Sequence, residues 1–225
     1  MEKIKLALIG KNIQNSQSPV LYKSFLGDRV VYDLIDIADE TQMPSLESLS
    51  KTYQGLNITA PYKKYYLKDV SIEGDYQMAI NTISLSKDGN HSATNTDYLA
   101  LRQILSSRFS IKKNILVLGD GAMSELITSL IGNVEVYSRK NNKLKDVVKL
   151  NEKYDLVINT CLKEYDFKTT TPSMIEMFWS LNYGNSKEEN YCKENKIAFE
   201  SGIELLELQA KYALQFWKLN DNSVT

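Results

Sequence analysis

Short apolar stretches alternate with amphipathic ones along most of the chain, and their spacing predicts the elements. Residues 4–9 read as a strand. Ser18 followed by Pro19 predicts a helix over 19–25, with the serine as N-cap and the proline in the first turn. A strand over 30–37, a short polar helix over 44–51 and a strand over 55–59 come next, and Pro61 suits the start of a helix running to 67. Residues 80–86 and 91–94 flank an Asp88-Gly89 pair, a strong hairpin signal. Residues 96–107 have a helical pattern. Ile115-Leu-Val-Leu118 is a continuous apolar run, the kind buried on both faces of a parallel sheet. A helix to about 130, strands over 134–137 and 156–159, a charged loop over 187–196 and an apolar-rich helix over 202–219 complete the pattern.

Strand–helix–strand alternation in the second half predicts a parallel, doubly wound sheet. The expected organisation is therefore α/β and two-lobed, with a first domain over 1–97, a second over 98–200, and a final segment over 201–225 whose helix packs back on the first. A cleft between lobes is the default place for a small ligand.

Composition narrows the chemistry. The 225 residues carry a formal net charge of -1, so no global basic field draws in nucleic acid or an anionic membrane. No apolar run approaches the roughly 20 residues that span a bilayer. The N-terminal stretch reads as a strand rather than a signal peptide, and the cytoplasm is the expected compartment. His91 is the single histidine, and Cys161 and Cys192 are the only cysteines. A His-based metal site, a Ser-His-Asp triad and a disulfide framework are thus not expected. Acid–base work falls to Lys, Asp, Glu or Tyr.

Gly119-x-Gly121, directly after the buried strand and before a helix that opens at Ala122, has the context of a dinucleotide phosphate-binding turn. Ser124 stands where a third small residue belongs, and Asp120 puts a carboxylate inside the turn. At the end of the next strand, where NAD binders place an acid, the chain has Ser138-Arg139-Lys140-Asn-Asn-Lys143. Arg139 can offer a planar fork to a 2′-phosphate and Lys143 adds charge, which favours NADP over NAD. A plain strand-to-helix turn and a solvated basic loop are the alternatives for these two segments.

Four small polar motifs stand in order in the first lobe: Ser16-Gln-Ser18-Pro19, Asn57-Ile-Thr59-Ala-Pro61-Tyr-Lys63, Ala79-Ile-Asn81-Thr82 and Asn95-Thr96-Asp97. A lysine and an aspartate brought together can move a proton on and off a substrate oxygen. Two hydroxyls at a helix N-terminus suit an anion. With Asn159-Thr160, Tyr183 and Gln209 further on, the series resembles the shikimate dehydrogenase family over nearly the whole chain.

The resemblance implies a substrate-binding domain followed by a Rossmann-like NADP-binding domain. It implies NADPH-dependent, reversible reduction of 3-dehydroshikimate to shikimate, on the way to chorismate and the aromatic amino acids. Lys63 and Asp97 would be catalytic. Ser16 and Ser18 would hold the substrate carboxylate; Thr59, Asn81, Tyr183 and Gln209 would make the other substrate contacts. Gly119, Gly121, Ala122, Arg139, Lys143, Asn159 and Thr160 would hold the cofactor, and the chain would be a monomer or a homodimer. Tyr98 and Ser180 depart from the family pattern, which has glycine and aspartate there. An enzyme of relaxed specificity toward quinate and a non-catalytic shikimate-binding homologue are the other readings the same residues allow.

Overall fold

The structure, a computed structural model, describes residues 3–132, 134–161, 165–184 and 187–219. The outermost parts of the expected first and last segments, residues 1–2 and 220–225, lie outside the described residues. The chain divides into two compact units, one of Met1–Ala100 with Glu207–Thr225 and one of Leu101–Leu206.

The first unit holds a mixed six-stranded sheet. Its strands are β1 (Ile4–Gly10), β2 (Val30–Asp36), β3 (Gly55–Ile58), β4 (Ser71–Ile72), β5 (Thr82–Ser84) and β6 (Ser92–Thr94), in the order β2-β1-β3-β5-β6-β4. β1 runs parallel to both β2 and β3, whereas β5 is antiparallel to β3 and β6. Asp88-Gly89 turns the β5–β6 hairpin, and Gly89 has φ +87°, a left-handed value glycine adopts without strain.

Helices α1 (Ser18–Leu26) and α2 (Leu46–Ser50) belong to the same unit. α1 begins one residue earlier than the pattern predicts. Ser18 is its first residue rather than its cap, and the Ser18 N–H donates to Ser16 Oγ. α2 is shorter than expected and is capped by Ser45, whose side chain accepts from Ser48 N–H.

The predicted helix over 61–67 is absent. Tyr62, Tyr65 and Asp69 donate three residues back, to Thr59, Tyr62 and Tyr66, as in turns. Tertiary contacts hold the segment instead: the Tyr62 hydroxyl bonds the Ile37 carbonyl, the Tyr66 hydroxyl bonds the Pro44 carbonyl, and both rings are buried.

The second unit is an all-parallel sheet of β7 (Ile115–Leu118), β8 (Glu135–Tyr137), β9 (Leu156–Asn159), β10 (Met177–Ser180) and β11 (Ala198–Glu200), in the order β11-β10-β9-β7-β8. All of β7 and β9 is buried, as a strand covered on both faces requires. Helix α4 (Ala122–Ile131) connects β7 to β8 and buries Ser124, Leu126 and Ile127. The small hydroxyl side chain of Ser124 fits that position.

The segment expected as a charged loop over 187–196 is instead helix α5 (Lys187–Glu194). Glu188 and Glu189 in its first turn and Lys193 in its last complement the helix dipole. β10 and β11, which the hydrophobic pattern did not single out, widen the sheet on that side.

The unit boundaries fall inside the two remaining helices, α3 (Thr96–Arg108) and α6 (Ile203–Phe216). Past the boundary, α6 packs Ala210, Ala213 and Leu214 with Leu6, Tyr22 and Leu26 of the first unit. Trp217 follows directly, and its Nε1 donates to the Ile83 carbonyl at 2.9 Å. A Cβ on Gly55 would lie 2.5 Å from that indole, so only glycine lets β3 accept the ring. Among the described residues no helix is long and apolar enough to cross a membrane.

Candidate active site

In the first unit, Asn95 precedes α3 and its side chain accepts from the Tyr98 N–H at 2.9 Å while donating to the Ala79 carbonyl. This cap starts the helix and sets Asp97 in its first turn. Lys63 Nζ lies 2.7 Å from Asp97 Oδ2, with both side chains largely shielded (13% and 14% exposed). Charge-assisted hydrogen bonds of this length are the strong ones.

Beside the pair runs a buried polar network. Asn81 Oδ1 accepts from Thr96 N–H at 2.7 Å and from the hydroxyls of Thr96 and Thr82. Asn57 donates to Thr82 Oγ1 and to the Asn81 carbonyl, and accepts from the Tyr32 hydroxyl at 2.8 Å. Thr96 Oγ1 reaches Gln209 Oε1 at 3.5 Å, so α6 brings Gln209 to the network. Asn57, Thr82, Thr96 and Tyr32 escaped the list of site residues expected from the sequence. Asn57, Thr82 and Thr96 stand inside the ordered motifs, which is the signal that finds them, whereas Tyr32 looks like an ordinary strand residue until its partner across the sheet is known.

Ser16 and Ser18 sit at the start of α1, half-buried, with their hydroxyls 3.2 Å apart. Thr59 follows β3, its N–H donating to the Ile9 carbonyl. A Cβ on Gly10 would stand 2.3 Å from the Thr59 methyl, so the glycine makes room for this side chain. Tyr98, the bulky departure, stacks on Tyr76 with ring centroids 5.1 Å apart.

The second unit carries a separate cavity of about 380 Å³. Gly119, Asp120, Gly121, Arg139, Thr160 and Cys161 line it, with Leu144 and Tyr165. Gly119 has φ +112°, and a Cβ there would meet Thr160 Oγ1 at 2.4 Å. Gly121 is different. It caps α4 with φ -87°, and a Cβ there would meet nothing within 4 Å. Neither backbone conformation nor protein packing demands glycine at that position. Ala122 is the first residue of α4.

Thr160 donates to the Leu118 carbonyl at 2.7 Å. Asn159 is fully buried: its Oδ1 accepts from Cys161 N–H at 3.0 Å and its Nδ2 donates to Glu188 Oε1 at 2.7 Å. Ser180 Oγ donates to the other carboxylate oxygen at 3.3 Å. Glu188 thus anchors the backbone that lines the cavity, although its segment read as loop. Glu188, Tyr191 and Cys192, spaced as one helical face, are the signal that finds it. Burial pushes the Cys161 thiol up to about 11.

Lys143, expected beside the cofactor, has its ammonium 3.4 Å from Glu135 and over the Tyr137 ring, and does not line this cavity. Tyr183 follows β10, half-buried, and burial raises its hydroxyl pKa. It belongs to the second unit, whereas Lys63, Asp97, Asn81 and Gln209 belong to the first. No cluster of three or more His, Cys, Asp or Glu residues that could hold a metal occurs among the described residues.

Comparison with known proteins adds an independent line. The family described as "Shikimate dehydrogenase substrate binding domain" matches residues 8–83. The shikimate dehydrogenase (NADP(+)) of Prochlorococcus marinus (strain MIT 9515) is 32% identical over 69% of this chain and 60% of its own length. That of Buchnera aphidicola subsp. Schizaphis graminum is 30% identical over 96% of this chain and 93% of its own. The crystal structure of shikimate dehydrogenase from Thermotoga maritima shares the fold, with a TM-score of 0.79 at 19% identity over 98% of this chain and 96% of that one. With sequence likeness running through both units and the fold matched end to end, the chain belongs to the shikimate dehydrogenase family.

Proposed function

We propose that this chain catalyses the NADP-linked, reversible reduction of 3-dehydroshikimate to shikimate, with substrate held by the first unit and cofactor by the second. The shielded Lys63–Asp97 pair, 2.7 Å apart beside the Asn81–Thr96–Gln209 network, carries this reading. NADP fits the second unit's cavity: Gly121 opens onto free space at the α4 N-terminus, where a pyrophosphate needs close backbone approach, and Arg139 stands on the same wall. When bound, the cofactor supplies the hydride.

The chain's own residues do the rest. The Lys63 ammonium stabilises negative charge growing on the ring oxygen and gives that oxygen its proton. Asp97 keeps the ammonium in position and accepts from a neighbouring substrate hydroxyl. Asn81 has its carbonyl oxygen engaged by Thr96 and Thr82, which leaves its Nδ2 to donate to a ring hydroxyl. Ser16 and Ser18 take the carboxylate at the start of α1, while Thr59 and Gln209 supply further polar contacts. Such a site rejects substrates lacking those hydroxyls, because its own buried groups would be left unpaired. Gly119, Gly121 and Ala122 hold the pyrophosphate, Arg139 the 2′-phosphate, and Asn159 and Thr160 shape the nicotinamide end; Lys143, paired with Glu135, stays outside this set.

The test is a spectrophotometric assay of purified protein with shikimate and NADP, run beside NAD and beside quinate. NADP-linked oxidation of shikimate, faster than with quinate, supports the reading. Folded protein silent with every combination refutes it.

A further inference from the structure

Asp120 has no part in the chemistry above, yet it stands inside the glycine turn and lines the same cavity as Arg139. Its carboxylate is turned toward the basic segment after β8. Asp120 Oδ2 accepts from the Lys140 N–H at 3.3 Å, and the Lys140 ammonium donates to the Asp120 carbonyl oxygen at 3.3 Å. Two consequences follow for a dinucleotide seated on this turn.

A 2′-phosphate brings up to about two negative charges. It would meet Arg139, but also a fixed carboxylate that already occupies the Lys140 N–H, a donor that a phosphate oxygen could otherwise use. Lys143 pairs with Glu135, and the Lys140 ammonium sits on the Asp120 carbonyl whether or not the carboxylate is present, so neither cancels the difference that the Asp120 charge makes. A ribose 2′-hydroxyl brings no charge, and it can donate to Asp120 Oδ1, which takes no hydrogen bond among the described residues. One side chain therefore opposes the phosphorylated cofactor and assists the unphosphorylated one.

We infer that Asp120 is a specificity-determining residue that narrows the preference for NADP over NAD set by the basic turn. This rests on the cofactor reading given above. The experiment measures binding of NADPH and of NADH to the full chain by cofactor fluorescence, for the unaltered protein, Asp120→Asn and Asp120→Ala, at low and high ionic strength. The NADPH-to-NADH affinity ratio is expected to rise about five- to tenfold in both variants at low salt, the size of a screened charge–charge interaction across several ångströms. The rise shrinks at high salt. An unchanged ratio in both folded variants, with the unaltered protein binding NADPH, overturns the role of Asp120 alone. Unaltered, folded protein that binds neither cofactor overturns the cofactor reading, and this inference with it.

Discussion

The two units hold their functional groups in opposite ways. In the first, side chains hold side chains: Asn57, Asn81, Thr82 and Thr96 form a closed buried network, with Lys63–Asp97 beside it. In the second, a glycine turn and a strand end form one part of the cavity wall, beside the side chains of Asp120, Arg139, Leu144 and Tyr165, and one buried carboxylate, Glu188, steadies the strand end from behind. The difference suits what each must recognise. A small polyhydroxy acid is told from its analogues by individual donors and acceptors, which must be fixed in advance. A pyrophosphate is met by main-chain N–H groups and a helix dipole, which any sequence that permits the turn supplies.

The sharpest way to break this comparison is at Lys63. Lys63→Ala removes the proposed proton donor and is expected to lower turnover by about 10²–10⁴-fold. Shikimate affinity, measured by calorimetry, should move far less. A loss confined to affinity would mean that the pair only binds.

Next comes the closure of the first unit by its C-terminal segment. Trp217→Ala leaves a cavity over Gly55 and removes the bond to Ile83, and should cost roughly 3–5 kcal/mol of stability by denaturant titration. A cost below about 1 kcal/mol would show that the preorganised network does not depend on that cover.

Glu188 probes the other style of construction. Glu188→Ala strands the Asn159 amide and the Ser180 hydroxyl and should destabilise by about 1–3 kcal/mol. NADPH binding is expected to weaken while shikimate binding holds. Glu188→Gln, which keeps an acceptor for Asn159, should recover most of the loss. Equal weakening of both ligands would erase the distinction between the units.

The smallest effect concerns Cys161 beside the cavity. Burial raises its thiol from the ordinary 9.0 to about 11, so the folded state keeps a proton that the unfolded state releases first. Its contribution to stability is complete below about pH 9 and fades as pH rises toward 11. Cys161→Ala should flatten that part of the stability profile. The thiol should also react slowly with disulfide reagents at neutral pH, and fast labelling of folded protein would contradict the burial.

Much of this was legible in the chain. The apolar run at 115–118, the Gly119-x-Gly121 turn and the Asp88-Gly89 hairpin each carry a local physical signature, and each stands where it was expected. Lys63 and Asp97 could be named because their motifs are short and ordered. The misses are also particular. Tyr62 and Tyr66 bury their rings and bond distant carbonyls, which overrides a local helical pattern. Residues 187–194 fold as α5 because one face, Glu188, Tyr191 and Cys192, meets the sheet, and charge along the rest hid it.

By itself, then, the sequence determined the family, the parallel sheet, the hairpin and which residues have chemistry to offer, because periodicity, turn residues and spaced motifs are local properties. Only the tertiary structure decided which partners those residues have. That Asp97 faces Lys63, that Glu188 steadies Asn159 and that Asp120 leans on Lys140 are contacts between residues 20 to 34 positions apart. Such pairings depend on which strands lie side by side and in what register. That is settled by burying both faces of each sheet at once, a condition no short window of the chain contains.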